Sequence, residues 1–439
     1  MGGIPTGSKV TESARLGRRR EEKVLNENLM ESVLNRDNMR QAYQQVKSNR
    51  GAPGVDGMEV DEFLDHARAH WPTIAAKLKT GHYSPGAIRS VSIPKPQGGQ
   101  RQLGIPNVQD RVIQQALSQV LSPIFEAHFS AHSYGYRPQR SAHDAIKAAQ
   151  GYVLEGKTWT VDIDISAFFD EVDHDRLMSK IGRTVRDRSV LKLIGRYLRA
   201  PMDDQGVRTK RVKGTPQGGP LSPLLANIYL NELDWELQRR GLSYCRYADD
   251  IVIYVGSERS GQRVLASISQ WITRHLKLRI NERKSGVGRP WNRQFLGFTF
   301  NREGKIGVAK ASLNRLKEQV RRSWNAQLNL SLRERIVQWQ HVIRGWWNYF
   351  GIAQDQKPIQ ALEGWMRRHM RKYFWQRWHN RTGRLNALRK LGVKLKYLAK
   401  GLGSSGAWRQ ARSRMMHQAL NNARIKRWGL WVPSDFATP

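Results

Sequence analysis

The chain has 439 residues, with 74 Lys or Arg against 37 Asp or Glu, a formal net charge of +37. That length supports more than one buried core without metal or disulfide staples, and so large an excess of bases is the footprint of a polyanionic partner, nucleic acid before any other. There is no run of about 18 apolar residues, and the single cysteine, Cys245, cannot form an internal disulfide or a cysteine-based zinc cluster, so a membrane span and a secreted disulfide scaffold are excluded and a cytoplasmic protein is expected.

Residues 8–49 are charged with helical periodicity, and "RGAPGVDG" (50–57) breaks the pattern with three glycines and a proline. A mixed region follows to about residue 300. It holds a helical stretch at 109–125 and the strand-like segments "AIRSVSIPK", "WTVDIDI" and "CRYADDIVIYV". From 311 to 379 apolar residues recur at helical spacing, which predicts a helical domain. Glycine-rich "KGLGSSG" (400–406) marks a hinge before a last basic segment. From residue 301 onward there are 29 Lys or Arg against 6 Asp or Glu, together with ten of the 15 tryptophans. Helical tryptophan is ordinarily core, so the cations of "RGWWNYF" and "RKYFWQRW" are the expected binding element, with rings available for base stacking.

Against this positive background the acids are informative. In "WTVDIDISAFFD", Asp162 and Asp164 are two apart and fall on one face of a strand. In "CRYADDIVIYV", Asp249 and Asp250 would sit at the bend of a hairpin, although Asp is also a common turn residue. Three carboxylates converging from two strands suit two Mg2+ ions and in-line phosphoryl transfer, and the surrounding charge should keep the acids ionised. Between the two acidic strands lies "GTPQGGPLSPLLANIYL" (214–230), a bare-backbone loop leading into an apolar helix whose N-terminus favours anionic groups.

The order "DIDISAFFD", "GTPQGGPLSP", "YADD", "LRINERKS" and "FLGF" resembles the palm motifs of reverse transcriptases, specifically bacterial group II intron-encoded proteins. The likeness extends upstream through "RGAPGVDG", "IPKPQGGQRQLGIPNVQDRVIQQAL" and "SYGYRPQRSAHDAI" and downstream through "IRGWWNYFG", covering about residues 30–380. It implies an α+β right-hand polymerase, with fingers and palm built on an antiparallel sheet carrying the YADD hairpin, followed by a helical thumb or maturase domain. The implied boundaries are an N-terminal helical extension at 1–60, fingers and palm at 61–303, thumb at 304–385 and a basic DNA-binding-like segment at 386–439. The single cysteine leaves no zinc-binding pairs, so a compact form without the family's HNH nuclease is expected.

Carried over residue by residue, the resemblance makes Asp164, Asp249 and Asp250 catalytic and metal-binding, with Ile165 lending a backbone carbonyl to two Mg2+ ions. Lys95, Arg101, Phe169, Gln217 and Lys284 would bind the incoming nucleotide, Phe169 as the gate against a ribose 2′-hydroxyl. Phe295, Leu296 and Gly297 would form the primer grip. Arg344, Trp346, Arg367, Arg368, Arg371 and Lys372 would contact nucleic acid. The implied partners are group II intron RNA, an RNA template, a DNA target and primer, and dNTPs, with no membrane and no implied oligomeric state. The implied function is copying intron RNA into cDNA during retrohoming and assisting its splicing. Two alternatives stand at this point: an intron-free reverse transcriptase serving host defence or repair, and an RNA-binding splicing factor without polymerase activity.

Overall fold

In a computed structural model the described residues are 27–94, 99–394, 396–398 and 406–436. Lys95 and nearly all of the expected glycine hinge lie outside them. The described chain divides into two compact units. The first is formed by the residues up to Ala145 together with Val161–Val287, and the second by Ile146–Thr160 together with Gly288 onward.

The first unit opens with helices α1 (Leu29–Leu34), α2 (Arg36–Ser48) and α3 (Phe63–Lys79). Strands β1 (Ile88–Pro94) and β2 (Gln100–Ile105) form an antiparallel hairpin, followed by helix α4 (Val108–Glu126) and the start of α5 (Ala142–Leu154). Next come β3 (Trp159–Ile163), the single turn α6 (Phe168–Glu171), α7 (His174–Thr184), α8 (Arg188–Arg199), β4 (Met202–Asp204) and β5 (Val207–Thr209). The unit closes with α9 (Ser222–Arg239), β6 (Ser243–Tyr247), β7 (Asp250–Val255), α10 (Glu258–Trp271) and β8 (Gly286–Gly288). Two four-stranded sheets result, in the orders β2-β1-β4-β5 and β6-β7-β3-β8. The first helices are not a separate extension. Asn38 on α2 donates to the carbonyl of Ala116 on α4 at 3.2 Å, and Gln119 answers with a 2.7 Å bond to the Asn38 side chain, so they belong to the first unit.

In the second unit, β9 (Phe298–Phe300) pairs with β10 (Ile306–Val308), and α11 (Lys310–Ser323), α12 (Leu332–Phe350), α13 (Lys357–Arg377) and α14 (Arg381–Lys390) follow. Three short helices end it: α15 (Ala407–Gln410), α16 (Arg414–Ala419) and α17 (Asn422–Arg427). The basic segment expected to stand apart after residue 385 shares the unit's core. Met415, Met416, Leu420, Ile425, Leu430 and Val432 are buried with Trp324, Trp339, Met366 and Tyr373, because apolar residues recur beneath its charges. The indole N–H of Trp339 donates to the carbonyl of Trp431 at 2.7 Å, and Glu363 accepts from Ser434 through both backbone and hydroxyl. The first boundary also differs from the expected residue 303, since Gln150 bonds to Gly304 and Gln354 within the second unit.

At the start of α4, Asp110 is buried and accepts from the Tyr83 hydroxyl at 2.7 Å, the Gly86 N–H at 3.0 Å and the Tyr197 hydroxyl at 3.2 Å. Burial outweighs those three donors and pushes the carboxyl from 3.8 up to about 6. Because the folded value lies above the unfolded one, ionisation opposes folding. The contribution of the neutral acid is full below about pH 4 and is lost as pH rises through 6, a fall of about 3 kcal/mol. Asp110→Asn should remove that part of the pH dependence, as read from urea unfolding midpoints between pH 4 and 8.

Candidate polymerase site

The YADD segment folds as the tip of the β6–β7 hairpin, with Tyr247 paired to Asp250 and Ala248-Asp249 as its two-residue turn. Ala248 sits at φ +58°, a left-handed conformation that a residue with a Cβ holds only under constraint. The constraint comes from beneath. Arg246, fully buried, donates to both oxygens of buried Asp234 on α9 at 2.7 and 2.5 Å, to the Asn227 side chain at 3.0 Å and to the carbonyl of Ala248 at 2.9 Å. Asn227 in turn donates to the carbonyl of Gly135. The "SYGYRP" segment closes the other side, since Tyr134 N–H donates to Arg246 O and Arg246 N–H to His132 O. Gly135 is obligatory there: a Cβ would lie 2.4 Å from the backbone nitrogen of Ala248. Arg137, in the same segment, is spent on Glu126 and the carbonyls of Ser130 and Ser133 and is structural.

Asp164 follows the end of β3, the strand next to β7 in the sheet. Its backbone is fixed by "RINERKS": its N–H donates to the Ser285 hydroxyl at 2.9 Å, its carbonyl accepts from Asn281 N–H at 2.8 Å, and Ile165 bridges Ile280. Lys284 reaches Asp164 at 3.6 Å. Two of the three acids feel their neighbours. Burial and then the charge of Asp164 raise the carboxyl of Asp249, while desolvation followed by the charges of Asp249 and Asp164 pushes Asp250 up to about 6, although the residue as a whole is exposed. The basic surroundings therefore do not hold these two acids at ordinary values, because mutual repulsion and desolvation are closer and stronger.

Among the described residues no three His, Cys, Asp or Glu side chains form a ready-made cage. An open oxygen-donor site still fits Mg2+, which takes one or two carboxylates and completes its shell with water and substrate phosphates.

Two predicted nucleotide-binding residues meet: Arg101 on β2 donates through Nε to the Gln217 side-chain oxygen at 2.6 Å. The backbones are joined as well, by Gly104 N–H to Gln217 O at 2.9 Å. Gly218, at φ +132°, allows the approach, because a Cβ would stand 2.5 Å from the carbonyl of Gly104. Arg101 also lowers the raised Asp249, so the cation faces the acids. Phe169 is buried at the head of α6, edge-on to Phe168 with centroids 5.2 Å apart, and its carbonyl accepts from Thr215 N–H of the glycine loop at 2.6 Å.

Sequence reasoning missed Tyr136. It is 51% exposed at φ +58°, its ring lies 6.5 Å from Tyr247, and its hydroxyl is raised by desolvation and then by Asp249, with Arg101 opposing. The available signal was its place in "SYGYRP", part of the upstream stretch that shares the family's pattern. Cys245 is buried, its thiol pushed up to about 12, and is an inert strand residue.

In the second unit, Phe295 and Phe298 exchange backbone bonds around Leu296 (φ +51°) and Gly297 (φ +80°), a tight hairpin turn. Tyr349 on α12 donates to Leu296 O at 2.9 Å and Ser312 to Gly297 O at 3.1 Å. Of the predicted nucleic-acid contacts, Arg344 is exposed over the Trp431 ring, and Trp346 and Lys372 are half-buried. Arg367 pairs with Glu363, and Arg368 stacks on Trp408. Arg371 is a correction: it is 3% exposed, with its guanidinium committed to Leu420 O and Asn422, and it packs the C-terminal segment onto α13.

Adjacent strands carrying three interacting acids, with a glycine loop and an arginine-bearing hairpin beside them, define the palm and fingers of a right-hand polymerase. Residues 93–300 match the family Reverse transcriptase (RNA-dependent DNA polymerase), and residues 313–392 match Group II intron, maturase-specific domain. Protein YkfC of Escherichia coli (strain K12) is 34% identical over 280 residues, which is 55% of this chain and 74% of that protein. Group II intron-encoded protein LtrA of Lactococcus lactis subsp. cremoris is 40% identical over 194 residues, 44% of this chain and 32% of LtrA. Nuclear intron maturase 1, mitochondrial, of Arabidopsis thaliana is 29% identical over 208 residues, 36% of this chain and 29% of that protein. The chain thus spans about a third of the latter two. It belongs to the group II intron-encoded reverse transcriptases and maturases and is an RNA-directed DNA polymerase by class, in a family that is generally divalent-metal dependent. Among the described residues no helix is long and apolar enough to cross a membrane.

The buried ion pair under the YADD turn is open to direct test. Asp234→Ala strands Arg246 without a counter-ion and should destabilise the first unit by about 3–5 kcal/mol. The double change Asp234→Leu, Arg246→Met should recover most of that loss in urea unfolding.

Proposed function

We propose that the protein binds a group II intron RNA, assists its folding and splicing, and copies it into cDNA during retrohoming, working in the bacterial cytoplasm on an RNA template, a DNA target and primer, and dNTPs. The observation that carries the reading is geometric: Asp164 at the end of β3 meets Asp249 and Asp250 at the tip of the adjacent β6–β7 hairpin, where desolvation and then the charges of Asp249 and Asp164 raise Asp250, a crowding of carboxylates that divalent cations relieve. These carboxylates, with the carbonyl of Ile165, would hold two Mg2+ ions, whose chemistry when bound is to acidify the primer 3′-hydroxyl and neutralise charge on the phosphates.

The remaining roles fall to the chain itself. Arg101, preset by Gln217, grips the triphosphate with a charge-assisted bond while Gln217 faces the nascent base pair. Lys284, 58% exposed beside Asp164, neutralises the departing pyrophosphate. Phe169 sits where a ribose 2′-hydroxyl would collide. Phe295, Leu296 and Gly297 hold the primer end through their turn, and exposed Arg344 and half-buried Lys372 supply phosphate contacts.

Primer extension on an RNA template with Mg2+ and dNTPs tests the assignment. Asp249→Ala with Asp250→Ala should lower the rate on the order of 1000-fold or more while RNA binding persists. Undiminished cDNA synthesis by that variant would remove the acids from the mechanism. Phe169→Val should raise ribonucleotide incorporation about tenfold or more with dNTP extension retained, and unaltered sugar selectivity would end its gate role.

A further inference from the structure

Within the second unit lies a cavity of about 500 Å3 that plays no part in the mechanism above. Its volume falls in the range of small-ligand sites, about 300–1,000 Å3. Its walls are aromatic: Trp365, His369 and Trp408 follow one another with ring centroids 4.2 and 4.7 Å apart. Trp408 is held rigidly, because the Arg368 guanidinium lies 3.7 Å from its ring centroid and donates twice to its carbonyl, at 3.1 and 2.9 Å.

The polar lining carries one sign of charge. Arg321, whose guanidinium is 5.4 Å from the Trp365 ring, and Lys372 are cations, Asn325 offers an amide, and among the described residues no carboxylate lines the cavity. Trp324, 1% exposed, also lines it, and its buried indole N–H has no partner among the described residues. His369 is lowered to about 4 by burial and then by Lys372, Arg321 and Arg368, so its ring is neutral at physiological pH and free to stack. Flat rings, an orphaned donor, an amide and cations without acids match a nucleotide, with rings for a base and cations for its phosphate. Every lining residue except Trp408 falls within the maturase-specific match at 313–392, which makes RNA the strand in question.

We propose that this pocket receives one unstacked nucleotide from a single-stranded stretch of the bound RNA, its base against Trp365 and Trp408 and its phosphate on Arg321 and Lys372. The proposal rests on the RNA-binding reading above and adds the chemical form that is recognised.

Binding of the full-length protein to a labelled 12-nucleotide single-stranded RNA, a duplex RNA of equal length and a single-stranded DNA of the same sequence provides the test. Trp408→Leu should weaken single-stranded RNA binding roughly tenfold, with Trp408→Phe within about twofold of wild type and duplex affinity unchanged. Arg321→Gln, an exposed change that leaves the ring wall intact, should weaken it about threefold and lower the log-log salt slope by about 0.7. Unfolding midpoints of all three variants report that the unit remains folded. Single-stranded RNA affinity within twofold of wild type in both Trp408→Leu and Arg321→Gln would overturn the pocket. So would equal losses on the duplex, and equal wild-type affinity for the DNA would overturn its assignment to RNA. A wild-type protein that binds none of the three ligands would instead bring down the functional reading itself.

Discussion

The YADD hairpin depends on an ion pair buried beneath it. Arg246 and Asp234 lie wholly out of water, and the cost of burying two charges is offset only because each nitrogen of the guanidinium finds an acceptor among two carboxylate oxygens, the Asn227 amide oxygen and the carbonyl of Ala248. The last of these fixes the turn. A left-handed alanine followed by two acids that repel each other is an unfavourable local structure, and it persists because the layer below determines it. Helix α9 holds the guanidinium and the segment around Gly135 holds the backbone of the same arginine on strand β6, so the position of the acids is set by the core rather than by the loop.

The glycine loop and the β1–β2 hairpin follow a similar plan with backbone in place of charge. The glycine loop and β2 approach so closely at Gly218 and Gly104 that neither can shift alone, and this contact delivers Gln217 to Arg101 across 116 positions of sequence. A guanidinium already aimed loses less freedom on meeting a triphosphate than one swinging free in solvent. In the second unit, the turn at Leu296-Gly297 is fixed by hydroxyl donors from two helices, so it too is held by elements outside itself.

What could be read from sequence divides along physical lines. Asp164, Asp249, Asp250 and the loop around Gln217 were visible because the chemistry demands particular groups in short runs, and strands β1, β3, β6 and β7 because alternation and β-branching mark them. Arg246 was not. An arginine beside an acidic motif in a basic chain reads as one more surface cation, and its partner Asp234 sits on a helix twelve residues earlier. Tyr136 escaped because its significance lies in a backbone conformation and in neighbours brought by the fold. Arg371 misled for the converse reason: in a stretch so rich in cations, composition cannot separate those that face solvent from those that cap carbonyls in the interior. Charge also hid the core-forming role of the last helices, whose apolar residues are too thinly spaced among arginines to stand out.

That last feature bears on how such a chain can be remodelled. The stretch recognised as the maturase-specific domain ends at residue 392, yet the hydrophobic interior it builds is completed by Met415, Met416, Leu420, Ile425, Leu430 and Val432. The recognisable domain is therefore not a self-sufficient module. A graft that transferred only residues 313–392 into another polymerase would carry an open seam of tryptophan and methionine, whereas a passenger fused beyond the final turn at Pro433–Phe436 would leave the seam shut. The boundary set by packing lies some forty residues past the one that sequence similarity draws.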